Sequence, residues 1–169
     1  MIQVRIVEFT DLEAFWQLRL EALRTTPEAF SASYEENIPL TMSEVEKRFH
    51  YTECDTYIIG AFTEENQLVG LMGFRREQRI KLKHKGTIWG VYVTPTFRGK
   101  GIAKQLLAEI LRRGKQLDGL KKINLSVVST NQNAVELYRK LGFETYGTEK
   151  NALVVNGHGY DEEFMTYTY

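Results

Sequence analysis

Val91-Tyr92-Val93-Thr94-Pro95-Thr96-Phe97-Arg98-Gly99-Lys100-Gly101-Ile102-Ala103-Lys104 joins a β-rich run, a glycine turn and the start of an amphipathic helix. Val91, Tyr92 and Val93 read as strand, and Pro95 closes it because proline supplies no ladder N–H. Gly99 and Gly101 permit tight backbone conformations. A helix beginning at Ile102 leaves its first N–H groups without intrahelical partners, at the positive end of its dipole. Such a turn suits an anion, and a diphosphate fits it; Arg98, Lys100 and Lys104 add positive charge at the same end. A purely structural turn flanked by surface lysines is compatible with the same residues. Counting excludes a P-loop ending at Gly99-Lys100, because Thr94 and Gly101 stand where glycine and Ser/Thr are required. A dinucleotide fingerprint starting at Gly99 meets Lys104 where glycine or alanine belongs, and follows a hairpin in mid-chain.

Downstream of this stretch, Ile102, Leu106, Leu107, Ile110 and Leu111 form a helical stripe ending near Gly114 or Gly119. Ile123, Leu125 and Val127 then alternate with polar residues as a strand, and Ala134, Leu137, Tyr138 and Leu141 give a short helix stopped by Gly142. Phe143 to Tyr146 and Tyr160 to Tyr169 read as closing strands around a flexible connection from Asn151 to Gly159, which would reach the pocket through the turn at Gly157-His158-Gly159. Upstream, Ile2 to Val7 is β-rich, and a capping box at Thr10 and Glu13 opens a helix carrying Leu12, Trp16, Leu20 and Leu23. Ala29 to Leu40 reads as a loop, and a second box at Ser43 and Glu46 opens another helix. Tyr57 to Phe62 and Leu68 to Phe74 form a hairpin about Thr63–Asn66, and Thr87 to Val93 is a third strand. The predicted order is βααβββαβαββ: an α/β (α+β) chain whose mixed, mostly antiparallel sheet of about seven strands carries about four helices on its two faces.

The composition bounds the remaining possibilities. With 169 residues, 22 Lys+Arg against 22 Asp+Glu, 43% hydrophobic and 26% charged residues, residues 1–169 read as one globular domain. Zero net charge argues against nucleic acid or anionic membrane as the main partner. Cys54 alone can form neither an intramolecular disulfide nor a thiolate zinc site, and no His/Asp/Glu set, His50 and His158 included, has metal spacing. No apolar run approaches the ~20 residues a membrane-spanning helix needs, so a cytoplasmic protein is expected. The Tyr- and Phe-rich run Tyr160 to Tyr169 would support a homodimer if its edge were exposed.

Arg98-Gly99-Lys100-Gly101-Ile102-Ala103 fits the pattern Arg/Gln-x-x-Gly-x-Gly/Ala, and Asn131-Gln132-Asn133-Ala134-Val135-Glu136-Leu137-Tyr138-Arg139-Lys140-Leu141-Gly142-Phe143 fits Asn-x-x-Ala-x-x-Leu-Tyr-x-Lys-x-Gly-Phe. In these two blocks the chain resembles the GNAT family of acetyl-CoA-dependent N-acetyltransferases, and the element order matches that family's fold across nearly the whole length. The first ~60 residues carry no diagnostic motif. The resemblance implies that Val91, Tyr92 and Val93 lie on a strand splayed from its neighbour, with the pantetheine arm of acetyl-CoA in the gap. The pyrophosphate would rest on the backbone N–H groups of Gly99, Lys100, Gly101, Ile102, Ala103 and Lys104, with Arg98 shaping the turn. Asn131 would bind the cofactor arm, with Asn133 and Lys140 as lesser contacts. Tyr138 stands at the family's general-acid position, where a phenol of pKa about 10 can protonate a thiolate whose parent resembles a cysteine thiol at about 8.5. The alternative for Tyr138 is packing of its ring.

The implied activity is transfer of an acetyl group to a primary amine of a small molecule or peptide, by direct attack in a ternary complex. A base for the ammonium is expected among Glu35, Glu36 and His84, with Glu35 as the first candidate. Glu35, Glu36, Glu44 and Glu46 would attract a cationic acceptor, although a solvated acidic face explains them as well. The competing readings are a non-catalytic acyl-CoA-binding or sensing module on the same scaffold, and an α/β protein that binds another nucleotide at the Ile102 helix terminus.

Overall fold

The computed structural model describes residues 1–49 and 55–169. The first elements are β1 (Gln3–Ile6), α1 (Leu12–Thr25), α2 (Tyr34–Asn37) and α3 (Met42–Arg48). Then come β2 (Thr56–Phe62), β3 (Leu68–Arg76), β4 (Lys85–Val93), α4 (Ile102–Lys115), β5 (Lys122–Val128), α5 (Gln132–Lys140), β6 (Glu144–Val155) and β7 (His158–Thr168). The strands form one seven-stranded sheet in the order β1-β2-β3-β4-β5-β7-β6. Every pairing is antiparallel except β4 with β5. Cys54 and His50 lie outside the described residues, and among those described no helix is long and apolar enough to cross a membrane.

Alternation along the strands builds a core on each face of the sheet. On one face α1 and α3 lay Phe15, Trp16, Ala22, Leu23 and Val45 over Ile58, Phe62, Leu71 and Tyr92. On the other, α4 sets Ile102, Leu106, Leu107 and Ile110 against Ile59, Met72, Phe74 and Ile123, while α5 adds Val135 and Tyr138. Leu106, Leu107 and Ile110 are completely buried, and each contributes about 1.5–3 kcal/mol relative to an exposed position.

The helices differ from the sequence expectation at their starts. Among the described residues five α-helices are present rather than four; the extra one, α2, occupies the expected loop because Ser33 and Glu36 form a reciprocal capping box. At α3 the box is Thr41 with Glu44, two residues before the Ser43–Glu46 pair, and this register buries Val45. At the first helix, Glu8 and Asp11 close a 3-10 turn over Phe9–Asp11 and α1 follows from Leu12, so Thr10 and Glu13 form no box. Such patterns recur in overlapping registers, and burial of the apolar face selects among them.

The C-terminal reading also changes. Residues 151–159 are no flexible connection: β6 and β7 form a long hairpin whose turn, Asn156-Gly157, has φ of 50° and 78°. Two positive φ angles match a type I′ turn, which joins twisted strands directly. The strand β7 lies between β5 and β6, so it has no free edge for a dimer; the sheet edges are β1 and β6.

Candidate active site

The parallel contact between β4 and β5 is brief. Lys85, Gly86 and Thr87 face Lys122, Ile123 and Asn124, and from Ile88 onward the two strands are unpaired. A bulge accompanies the divergence: Leu71 faces Tyr92 and Gly73 faces Trp89, so Gly90 and Val91 together oppose Met72. Gly90 takes φ +64°, a conformation that glycine adopts at little cost, and the bulge bends and twists β4 away from its neighbour. Tyr92 Oη and Thr94 Oγ1 both donate to Glu21 Oε1 on α1, at 2.9 and 3.1 Å, which ties the diverging arm of β4 to that helix. Burial, helped by the Glu21 carboxylate, keeps the Tyr92 phenol above its ordinary pKa.

The fork opens a cleft of about 820 Å³ whose lining includes Gly90, Val91, Ser126, Val128, Asn131 and Tyr138. It runs into a groove of about 600 Å³ lined by Val91 to Val93, Arg98, Gly99, Gly101 to Lys104, Asn131, Asn133 and Tyr138. At the groove, Gly99 and Gly101 take φ +74° and +76° with nothing within 4 Å of where a Cβ would stand. The first bond of α4 runs from Gln105 N–H to Gly101 C=O at 3.1 Å, so among the described residues the N–H groups of 99–104 have no protein acceptor. Arg98 Nε donates to Val93 O at 2.8 Å and its guanidinium lies 5.4 Å from the Tyr92 ring, so it shapes the turn. Lys100 lies over Phe97 at 4.8 Å.

Tyr138 is 4% exposed on α5, with its ring tilted against Phe143 at 5.8 Å. It lines both cavities, and its hydroxyl has no protein hydrogen bond among the described residues. Burial pushes its phenol well above the usual tyrosine range, so the group stays protonated. Asn131 caps α5 by accepting Ala134 N–H on Oδ1 at 3.2 Å, which leaves its amide donors to the groove.

Other expected residues do not join this site. Glu35 is exposed on α2 and lines neither cavity, and Glu36 and Glu44 are engaged in their capping boxes. Lys140 is exposed at the end of α5, away from both linings. His84 accepts Lys121 and Lys122 N–H groups on its backbone oxygen, and His158 stacks edge-on against Tyr160 beside the hairpin turn. Neither His84 nor the 151–159 segment contributes to either cavity.

In their place the fold brings up Arg19, Glu28, Arg75, Trp89 and Glu162. Glu162 comes from β7 opposite Val128, and burial together with the Glu149 carboxylate raises its pKa. Trp89 reaches the cleft because Gly73 beneath it has no Cβ to displace its ring. Arg19 had a signal in the sequence: it stands three to four residues from Phe15, Trp16, Ala22 and Leu23, on the stripe of α1 that is buried. Glu162 had none, because only the β5–β7 pairing carries it to the fork.

Comparison with known proteins places this geometry. The sequence profile described as "Acetyltransferase (GNAT) family" matches residues 15–143. Among curated relatives, a mycothiol acetyltransferase of Brachybacterium faecium is 28% identical over 84% of this chain and 40% of its own length. An L-amino acid N-acetyltransferase of Escherichia coli is 28% identical over 60% of this chain and 62% of its own. A spermidine N(1)-acetyltransferase of Escherichia coli is 26% identical over 76% and 65%. The chain thus spans less than two thirds of each of these relatives. Among solved structures, a GNAT-family acetyltransferase from Streptococcus pneumoniae superposes with TM-score 0.87 at 22% identity, covering 100% of both chains. A phosphinothricin acetyltransferase from Sinorhizobium meliloti, in complex with AcCoA, superposes with TM-score 0.83 at 25% identity over 99% of this chain and 88% of that one.

Proposed function

The chain belongs to the GNAT acetyltransferase family, and on that premise we propose that it transfers an acetyl group from acetyl-CoA to a primary amine by direct attack in a ternary complex. One observation carries the reading. The acceptor-free N–H groups of residues 99–104 stand over open space at the end of a forked strand pair, with a protonated tyrosine hydroxyl facing the same cavity. A diphosphate needs many converging donors, and a helix N-terminus with two Cβ-free turn positions supplies them. The unpaired edge of β4 from Ile88 to Val93 offers further backbone donors and acceptors to an amide-bearing arm.

The residues divide the chemistry. Glu162 takes a proton from the acceptor ammonium, directly or through water; its raised pKa makes it a better base than an ordinary carboxylate. As the nitrogen bonds to the thioester carbon and the C–S bond breaks, the backbone N–H at Val91 stabilises charge on the carbonyl oxygen. Tyr138 gives its proton to the departing sulfur, and the second proton of the attacking nitrogen restores the phenol. Burial that raises the Tyr138 pKa also disfavours a bare thiolate beside it, so the transfer stays close to balanced. Asn131 and Asn133 hold the donor arm, and Lys140 contributes at most long-range charge. We further propose a cytoplasmic setting, where acetyl-CoA is made and used.

The test is release of free CoA thiol from acetyl-CoA with an amine panel. Amine-dependent release supports a transferase. Tight acetyl-CoA binding with no release from any amine returns the chain to the binding-module alternative, and absence of acetyl-CoA binding removes both.

A further inference from the structure

Arg19 is a cation the fold buries without an anion. Its Nη1 is inaccessible to solvent and has no hydrogen-bond partner, and no carboxylate among the described residues pairs with the guanidinium. Its neighbours are aromatic: Phe30 at 5.1 Å and Trp89 at 5.9 Å from ring centroid to Cζ. Contrast the other half-buried arginines: Arg5 pairs with Asp11 at 2.6 Å, Arg113 with Glu109 at 2.7 Å, and Arg76 donates to the backbone oxygens of Lys83 and Asp118. Burying a charge without a partner is unfavourable, and a leucine or methionine would suit this stripe of α1 better for packing alone. Arg75, exposed on β3, lines the same cleft and makes no ion pair among the described residues, so its charge is open to a ligand there.

Both cations belong to one end of the cavity. Arg19 and Arg75 line the cleft but not the groove that holds the 99–104 turn. Arg19 Nη1 sits 3.5 Å from where a Gly90 Cβ would stand, at the bulge where the strands part. The groove's own positive features account for the diphosphate, so this second cationic pair is left for the other substrate. Glu35, Glu36, Glu44 and Glu46, expected to draw a cationic acceptor, line neither cavity and serve as capping and surface groups. Glu28 and Glu162 add negative charge to the same cleft, which a zwitterion can use and a bare anion cannot. A smaller cavity of about 330 Å³, lined by Phe15, Trp16 and Trp89 among others, opens beside Arg19 and Arg75.

Resting on the transferase reading above, we infer that the acceptor is an amino acid or a close analogue, its carboxylate bound by Arg19 with Arg75 beside it, its amine turned toward Glu162 and Tyr138, and its apolar side chain in the aromatic cavity. Guanidinium pairs with carboxylate through two parallel hydrogen bonds, here from the Nε–Nη2 edge because Nη1 is closed off, and the pair discriminates against an acceptor lacking the acid.

The experiment uses matched pairs that differ only in the carboxylate: phenylalanine with phenethylamine, leucine with 3-methylbutylamine, and spermidine as the polycation control. CoA thiol release gives kcat/KM for each, with wild type, Arg19→Gln, Arg19→Lys and Arg75→Gln, and calorimetry gives acetyl-CoA affinity. The expected result is a preference for the acid-bearing member of about 10²-fold in wild type. In Arg19→Gln it collapses to within about threefold and in Arg19→Lys it recovers in part, with acetyl-CoA binding within about threefold of wild type throughout. Equal or faster acetylation of the decarboxylated amines or of spermidine by wild type overturns the acceptor assignment and leaves the transferase standing. Thiol release from no amine overturns both. If Arg19→Gln fails to fold, the wild-type ratios and Arg75→Gln decide the question.

Discussion

Tyr138→Phe separates chemistry from architecture, because the two readings of this residue predict opposite outcomes. The ring packs at 5.8 Å against Phe143 and is 4% exposed, while the hydroxyl makes no protein hydrogen bond among the described residues. Phenylalanine keeps the packing and removes a hydroxyl that bonds to no protein group among the described residues. Stability should therefore be unchanged or higher by up to about 1 kcal/mol, which for a chain of this size moves Tm by no more than about 2–4 °C upward. Turnover should move the other way. Loss of a positioned general acid costs about 10²–10⁴ in rate, or about 2.7–5.4 kcal/mol at 1.36 kcal/mol per decade. The assays are steady-state thiol release, calorimetry of acetyl-CoA binding and a thermal melt on the same preparations. Acetyl-CoA affinity should stay within a few-fold, since the proposed function rests the diphosphate on the free N–H groups of residues 99–104 and not on the phenol. A kcat within threefold of wild type refutes the acid role, and a Tm several degrees lower would mean the hydroxyl is structural.

Three further outcomes follow from the geometry. Glu162→Gln should lower kcat/KM by about 10–10² and abolish its acid limb; the limb should lie above the usual glutamate range, because burial and Glu149 raise the pKa. Removing that repulsion in Glu149→Gln should shift the limb to lower pH, and an unmoved limb in the pH–rate profile contradicts the assignment. Gly101→Ala should cost about 1–2 kcal/mol, seen as a lower Tm, and weaken acetyl-CoA binding by calorimetry; the φ of +76° carries the strain, since no atom lies within 4 Å to clash. Asp11→Asn should destabilise by about 1.5–3 kcal/mol at neutral pH, because Asp11 accepts from Arg5 at 2.6 and 2.9 Å and from Glu8 N–H at 2.9 Å. The Arg5 hydrogen bonds lower the Asp11 pKa, so this contribution is complete above the ordinary carboxylate pKa and disappears as pH falls through the lowered one. Urea melts across that range should show wild type and variant converging in acid.

The glycine turn and its free N–H groups were written locally. Strand end, glycine turn and helix start follow one another between Val91 and Lys104, so the geometry that frees the N–H groups is set by neighbours in sequence, and reading the residues in order is enough to find it. The same holds for Asn131 and Tyr138, carried on one short helix with its cap. Hydrophobic periodicity likewise specified the alternating strands and the α4 stripe, because a period is a property of consecutive residues.

The far end of the cleft was not local. Glu162 reaches the cleft only through the pairing of β7 with β5, and no window of sequence contains that pairing. Arg19, Arg75, Trp89 and Glu162 come from α1, β3, β4 and β7, and they meet at the cleft where β4, bulged at Gly90 and Val91, parts from β5. Helix starts slipped for a related reason: Thr41, Ser43 and Ser33 all offer capping chemistry, and the buried side chain picks the register. The sequence by itself determined the strands, the longer helices, their order and the glycine turn before α4, all short-range consequences of backbone geometry. The tertiary structure alone decided which charges share a cavity, because burial and electrostatics act between residues far apart in the chain.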